Sequence, residues 1–105
     1  MGHPRPRPER LAEKLRQIRD AFGISQTEMH RRLGVEDIIA YNEISKYESD
    51  GREPPLMVLL QYARLAGVNM EVLADDELDL PERLPGPVSH EEIRRRFSSR
   101  RKARR

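Results

Sequence analysis

The most concentrated chemistry in the chain lies at its C-terminal end, where Arg94, Arg95, Arg96, Arg100, Arg101, Lys102, Arg104 and Arg105 crowd into twelve residues. Guanidinium and ammonium groups at that density attract polyanions, whether DNA backbone, structured RNA or an acidic protein surface, and they do so nonspecifically because phosphate oxygens look alike along a strand. Nucleophilic chemistry finds no comparable setting. Ser25, Ser45, Ser49, Ser89, Ser98 and Ser99 stand in no Gly-x-Ser-x-Gly context, and no glycine-rich loop is present to cradle a phosphate. The carboxylates of residues 75–82 cluster in a Pro-containing run that lacks the alternating oxygen ligands and central glycine of a calcium loop. His3, His30 and His90 are scattered and there is no cysteine, so neither a metal site nor a disulfide is expected. The expectation is a protein without catalysis, cofactor or metal.

The length of 105 residues allows one small domain plus flanks. Hydrophobic and charged residues each make up 36%, with two Phe, three Tyr and no Trp, which points to a small aliphatic core between helices. The formal charge of +2 hides an uneven distribution: residues 1–24 carry a net +3, 25–53 a net −3, 54–87 a net −4 and 88–105 a net +6. Basic ends flank an acidic middle. No apolar run approaches the roughly 20 residues of a membrane span and the N-terminus lacks a signal-like apolar segment, so a cytoplasmic, nucleoid-associated protein with no membrane partner is expected.

Stepping in threes and fours, Leu11, Leu15, Ile18 and Phe22 give the apolar face of a first helix over Glu9–Phe22. Ser25 with Glu28 forms a capping box that opens a second helix, whose buried face is Met29 and Leu33 and whose end is Gly34. A third helix must finish near Ser49-Asp50-Gly51. Pro54 and Pro55 then open a fourth, with an expected stripe of Leu56, Leu59, Leu60, Ala63 and Leu65, closing at Gly67. Asn69 is placed to cap a short fifth helix carrying Met70, Leu73 and Ala74. The domain organisation read from this is a flexible Pro/Arg arm over 1–8, a helical domain over 9–75, an acidic Pro-rich linker over 76–88 with surface leucines, and a basic tail over 89–105. Ser89 and Glu92 make a second capping box in that tail, but a helix with only Ile93 and Phe97 to bury is marginal in water, so the free tail is expected to be disordered.

The fold class expected is therefore all-α, a compact bundle of about five helices containing a helix-turn-helix, with flexible basic ends. Between Leu11 and Ala74 the chain resembles the phage repressor and Cro type (xenobiotic-response-element-like) of helix-turn-helix regulator. The matching words are Leu-Arg-Gln-Ile-Arg at 15–19, Gly-Ile-Ser-Gln at 23–26, Leu-Gly-Val at 33–35, Ile-Ser-Lys-Tyr-Glu at 44–48 and Gly-Val-Asn-Met-Glu-Val-Leu at 67–73. The runs 52–68 and 75–81 further resemble a group of small bacterial regulators in that family. Two departures stand out. The connection Val35–Glu43 is longer than the family's usual one, and His30 stands where the family tends to place Ala between closely approaching helices. A further extra residue falls at Asp50.

The resemblance implies a set of site residues. Gln26, beside Ser25 and the amides at the positive end of the second helix, would bond a DNA phosphate, and Arg52 would contact backbone after the third helix. Tyr41, Asn42, Glu43 and Lys46 would face base edges, with Asn suited to adenine, Lys to guanine and Glu to cytosine. Lys46 could serve phosphate instead, Gln26 could serve only the helix cap, and Tyr41 could pack into the core beside Ile38 and Ile39. Arg31 and Arg32 read first as a solvated face, with phosphate contact the alternative. The family's tie between first and third helices falls on Arg19 and Glu48.

The function expected is a sequence-specific, double-stranded DNA-binding transcription regulator, a repressor acting as a two-fold dimer on a pseudo-palindrome. Two other readings compete. One is an antitoxin that binds a toxin and represses its own operon; the other is an adaptor that bridges proteins while its basic tail holds nucleic acid.

Overall fold

The computed structural model describes residues 7–87, which fold into five helices and no strand among those residues: α1 (Leu11–Phe22), α2 (Gln26–Leu33), α3 (Glu43–Glu48), α4 (Leu56–Ala66) and α5 (Met70–Ala74). The chain is all-α. Leu11, Leu15 and Ile18 of α1 meet Met29 and Leu33 of α2, Ile44 and Tyr47 of α3 and Leu73 of α5 in one core, with α4 closing it.

Local chemistry sets the first two helices. Ser25 caps α2, its Oγ accepting the Glu28 N–H at 3.1 Å. Glu28 turns its own carboxylate to Arg31 and Arg32, which hold it down to about pKa 2, Arg31 contributing most. Gly34 ends the helix at φ 66, a left-handed conformation that side chains with a Cβ resist. The start of α1 differs from expectation, at Leu11 rather than Glu9, because the donors before it are satisfied from the far end of the fold: Asp76 accepts the N–H groups of Glu9 at 2.9 Å and Arg10 at 3.0 Å. Those two bonds, the Glu9 one first, lower the Asp76 pKa below its ordinary 3.8.

Lys14 shares the inner face of α1 with the leucines and is fully buried. Its ammonium donates to the Val72 and Asp75 carbonyls, each at 2.8 Å, closing the C-terminal end of α5 with a cation where the helix dipole favours one. Burial pushes its pKa down, and Arg10 adds to that.

The connection between α2 and α3 is anchored rather than loose. Val35 is buried and its carbonyl accepts from the Ile38 and Ile39 N–H groups at 2.9 and 3.0 Å, forming one tight turn. His30, buried on α2, makes a 2.8 Å hydrogen bond from Nε2 to the Ile39 carbonyl, so the ring holds the connection to α3 in place. A carbonyl only accepts, which fixes Nε2 as the protonated nitrogen. Asp50, after α3, takes a positive φ of 62 and accepts from Arg7 at 3.2 Å.

Two expectations, on the face of α4 and on the run after α5, are corrected by the packing. The inner face of α4 is Val58, Leu59, Tyr62, Ala63 and Ala66, while Leu56 is 71% exposed, because a helix apolar on most of its circumference leaves its phase to be set by its neighbours. Asn69 stands at the N-cap of α5 with extended dihedrals, as expected, and the cap is made by its backbone carbonyl, which accepts the Val72 N–H, without a side-chain bond. Finally, the described part of the run read as a linker forms a strap on the domain. Leu80 and Leu84 pack against the core, Arg10 donates to the Asp76 carbonyl at 2.8 Å and to the Asp79 carboxylate, and Gly86 donates to the Ala66 carbonyl at 3.1 Å. Gly67, at φ 76, is where the strap crosses: a Cβ there would fall 2.2 Å from the Gly86 carbonyl oxygen.

Candidate nucleic-acid interface

Because α3 buries Ile44 and Tyr47, its opposite side is fixed by helical geometry. Asn42, Ser45, Lys46 and Ser49, spaced three, four and seven from the first, line that outer side. The two serines turn their hydroxyl protons inward, Ser45 onto the Asn42 carbonyl at 3.0 Å and Ser49 onto the Lys46 carbonyl at 3.3 Å. Sequence reasoning centred on Asn42 and Lys46 passed over both serines; continuing the same three-and-four spacing beyond Ile44 would have included them.

Arg19 reaches from α1 to α3 and donates to both oxygens of Glu48, from Nε at 2.7 Å and from Nη2 at 2.9 Å. The Glu48 side chain is 4% exposed and that of Arg19 19%. Arg19 also donates from Nη1 to the Ile24 carbonyl at 2.9 Å, so one side chain fastens α1, the turn before α2, and α3. The bond to Glu48 raises the Arg19 pKa against the opposing effect of burial. Gln26, in the first turn of α2, brings its amide Nε2 to 3.4 Å from Glu48 Oε1 and joins the same cluster. The side-chain cap bond of α2 is made by Ser25, while the Gln26 amide turns to Glu48. Tyr62 is fully buried with its hydroxyl unpartnered; burial and then the negative charge of Glu48 raise its pKa.

In front of α3, Tyr41 is 64% exposed, which removes the core alternative; Ile39 takes the inner place and Ile38 stays outside. Asn42 is likewise exposed. Glu43 lies lower, its side chain 14% exposed, and accepts from Lys46 Nζ at 3.2 Å and from Arg52 Nη1 at 3.0 and 3.2 Å. The structure thus brings Glu43, Lys46 and Arg52 together, and Arg19, Gln26 and Glu48 together, as two separate groups. Arg31 and Arg32 pair with Glu28 on the outer side of α2. The basic residues Arg94 to Arg105 lie outside the described residues.

No group of three or more His, Cys, Asp or Glu side chains fit to hold a metal occurs among the described residues, and no described helix is long and apolar enough to cross a membrane. A capped second helix, a glycine turn and a third helix with an exposed polar side are the parts of a helix-turn-helix, and the helix-turn-helix family model matches residues 15–73, more than half of the chain. The chain belongs to the Cro-type helix-turn-helix family. Comparison with curated proteins and with solved structures gave no match. As a Cro-type helix-turn-helix protein it carries a DNA-binding domain of a kind that serves transcription regulation and is generally without enzymatic activity.

Proposed function

We propose that the protein is a sequence-specific regulator of transcription that reads duplex DNA in the major groove with α3. The observation that carries this reading is the outer stripe of α3, polar from Asn42 to Ser49 and held against α1 and α2 by the Arg19–Glu48–Gln26 cluster. A reading helix must be rigidly mounted, since base recognition depends on placing donors and acceptors to within a fraction of an ångström. In this arrangement Asn42 and Lys46 meet base edges, and Tyr41 stands at the entrance to the groove. Ser25 and Gln26 at the start of α2 and Arg52 after α3 meet phosphates on either side.

One such unit covers only a few base pairs, so the regulator acts as a two-fold dimer on a pseudo-palindromic site, in the cytoplasm where its DNA lies. The basic tail adds affinity without sequence preference. Repeated selection of bound fragments from random duplex DNA tests the proposal directly: a recovered motif with two related halves supports it. Failure to enrich any motif would favour the adaptor reading, to which the net −7 of residues 25–87 lends support.

A further inference from the structure

Lys46 and Arg52 are the only basic residues between Arg32 and Arg64, a stretch that also contains Glu36, Asp37, Glu43, Glu48, Asp50 and Glu53. Both cations rest on one carboxylate, Glu43. Lys46 reaches it from one turn along α3, and Arg52 reaches it across the turn that follows the helix. The two cations are about half exposed while the carboxylate between them is largely covered, so the ion pairs are open to approaching phosphate on the cationic side.

We propose that Glu43 is a specificity-determining residue that acts as a displaceable internal anion, occupying Lys46 and Arg52 until a matching DNA site offers better acceptors. This deepens the regulator reading and rests on it. Family resemblance would have Glu43 accept from cytosine, but a carboxylate already sharing two cations meets a base edge poorly. In the internal-anion role it discriminates by competition. On a matching site, a guanine edge facing Lys46 and a phosphate facing Arg52 replace the carboxylate with well-aligned charge-assisted bonds. On a mismatched duplex the partners are misplaced, both cations stay on Glu43, and the reading surface presents little net positive charge to the backbone. Discrimination then comes from suppressing the wrong complex as much as from strengthening the right one.

The test uses the full chain with Glu43→Gln, which keeps the shape and removes the charge, and Asp37→Asn as a control that removes an equal charge from the exposed connection ahead of α3. Binding to the selected duplex and to a scrambled one is measured by fluorescence anisotropy over a range of salt. Glu43→Gln should tighten scrambled-duplex binding by roughly three- to thirty-fold, the range spanned by two exposed ion pairs, and tighten the selected duplex less, so that the specificity ratio falls. Its salt slope on scrambled DNA should steepen by about 1–2, as one or two more phosphates are neutralised. The gain should shrink when Lys46→Ala and Arg52→Ala are already present. An equal gain from Asp37→Asn, or a gain that persists without Lys46 and Arg52, would reduce Glu43 to general repulsion and overturn the proposal. Weaker binding of Glu43→Gln to the selected duplex, with altered preference at one base pair, would make it a base reader instead. Failure of the wild-type protein to select any sequence removes the regulator reading itself, whereas a wild type that selects a motif and a Glu43→Gln that leaves the ratio unchanged removes this proposal alone.

Discussion

Arg19 and Glu48, 29 positions apart, are joined by two parallel hydrogen bonds of 2.7 and 2.9 Å that lock the first helix to the third. With the carboxylate almost wholly covered, removing one charge strands the other, and the expected loss on Glu48→Gln is about 3 kcal/mol or more, against under about 1 for an exposed pair. In a domain of this size that is a fall in Tm of about 12 °C or more. Thermal unfolding followed by circular dichroism checks it, and an unchanged Tm would deny the pair a structural role.

Asn42 and Gln26 occupy different positions and should fail differently. Asn42→Ala, on the outer stripe of α3, should weaken the selected site by about 1–3 kcal/mol and flatten preference at one base pair. Gln26→Ala should weaken every duplex alike. Equal losses for Asn42→Ala on selected and random DNA would take it out of the base-reading set.

Deletion of residues 88–105 should weaken binding to all duplexes while the preferred sequence stays the same. The slope of log affinity against log salt flattens by about 0.9 for each phosphate no longer neutralised, so three or four fewer would flatten it by roughly 3. Titrations at several salt concentrations read this out. An unaltered slope would assign the tail to RNA or to an acidic protein.

Acid unfolding should report Asp76. Its folded pKa lies below the ordinary 3.8, so the stability it confers is present above that value and is lost as pH falls through the lower folded one. Asp76→Ala should therefore lower the Tm at neutral pH, and the gap between variant and wild type should close below pH 3.8. A gap that stays constant down to the acid limit would show that the side chain acts through something other than its charge. Comparing the two proteins matters because Glu28, held down to about pKa 2, titrates in the same acid range in both.

Elements whose signals are local were legible in the residues. Gly34 and the Ser25–Glu28 pair lie within a few positions of the boundaries they set. The phase of α4 was not legible, because Leu56, Leu60 and Val58 are equally apolar and only the packed neighbours choose between them. The strap was hidden for a different reason: Asp76 finds its partners 66 and 67 positions away, beyond the reach of any spacing rule. Lys14 did leave a trace. It interrupts the apolar series Leu11, Leu15, Ile18, and a cation on an inward face must find buried acceptors, which it does at the end of α5. The pairing of Glu43 with Lys46 follows a three-residue helical spacing, but its sharing with Arg52 depends on a turn whose shape the sequence did not specify.

The first helix is the first part of this domain to leave the ribosome, and its bonding partners come much later in the chain. The acceptor for the donors ahead of it arrives with residue 76, and the acceptors for Lys14 arrive with residues 72 and 75. A twelve-residue helix alone is marginal in water. During synthesis α1 therefore has none of these acceptors until residues 72–76 have followed it.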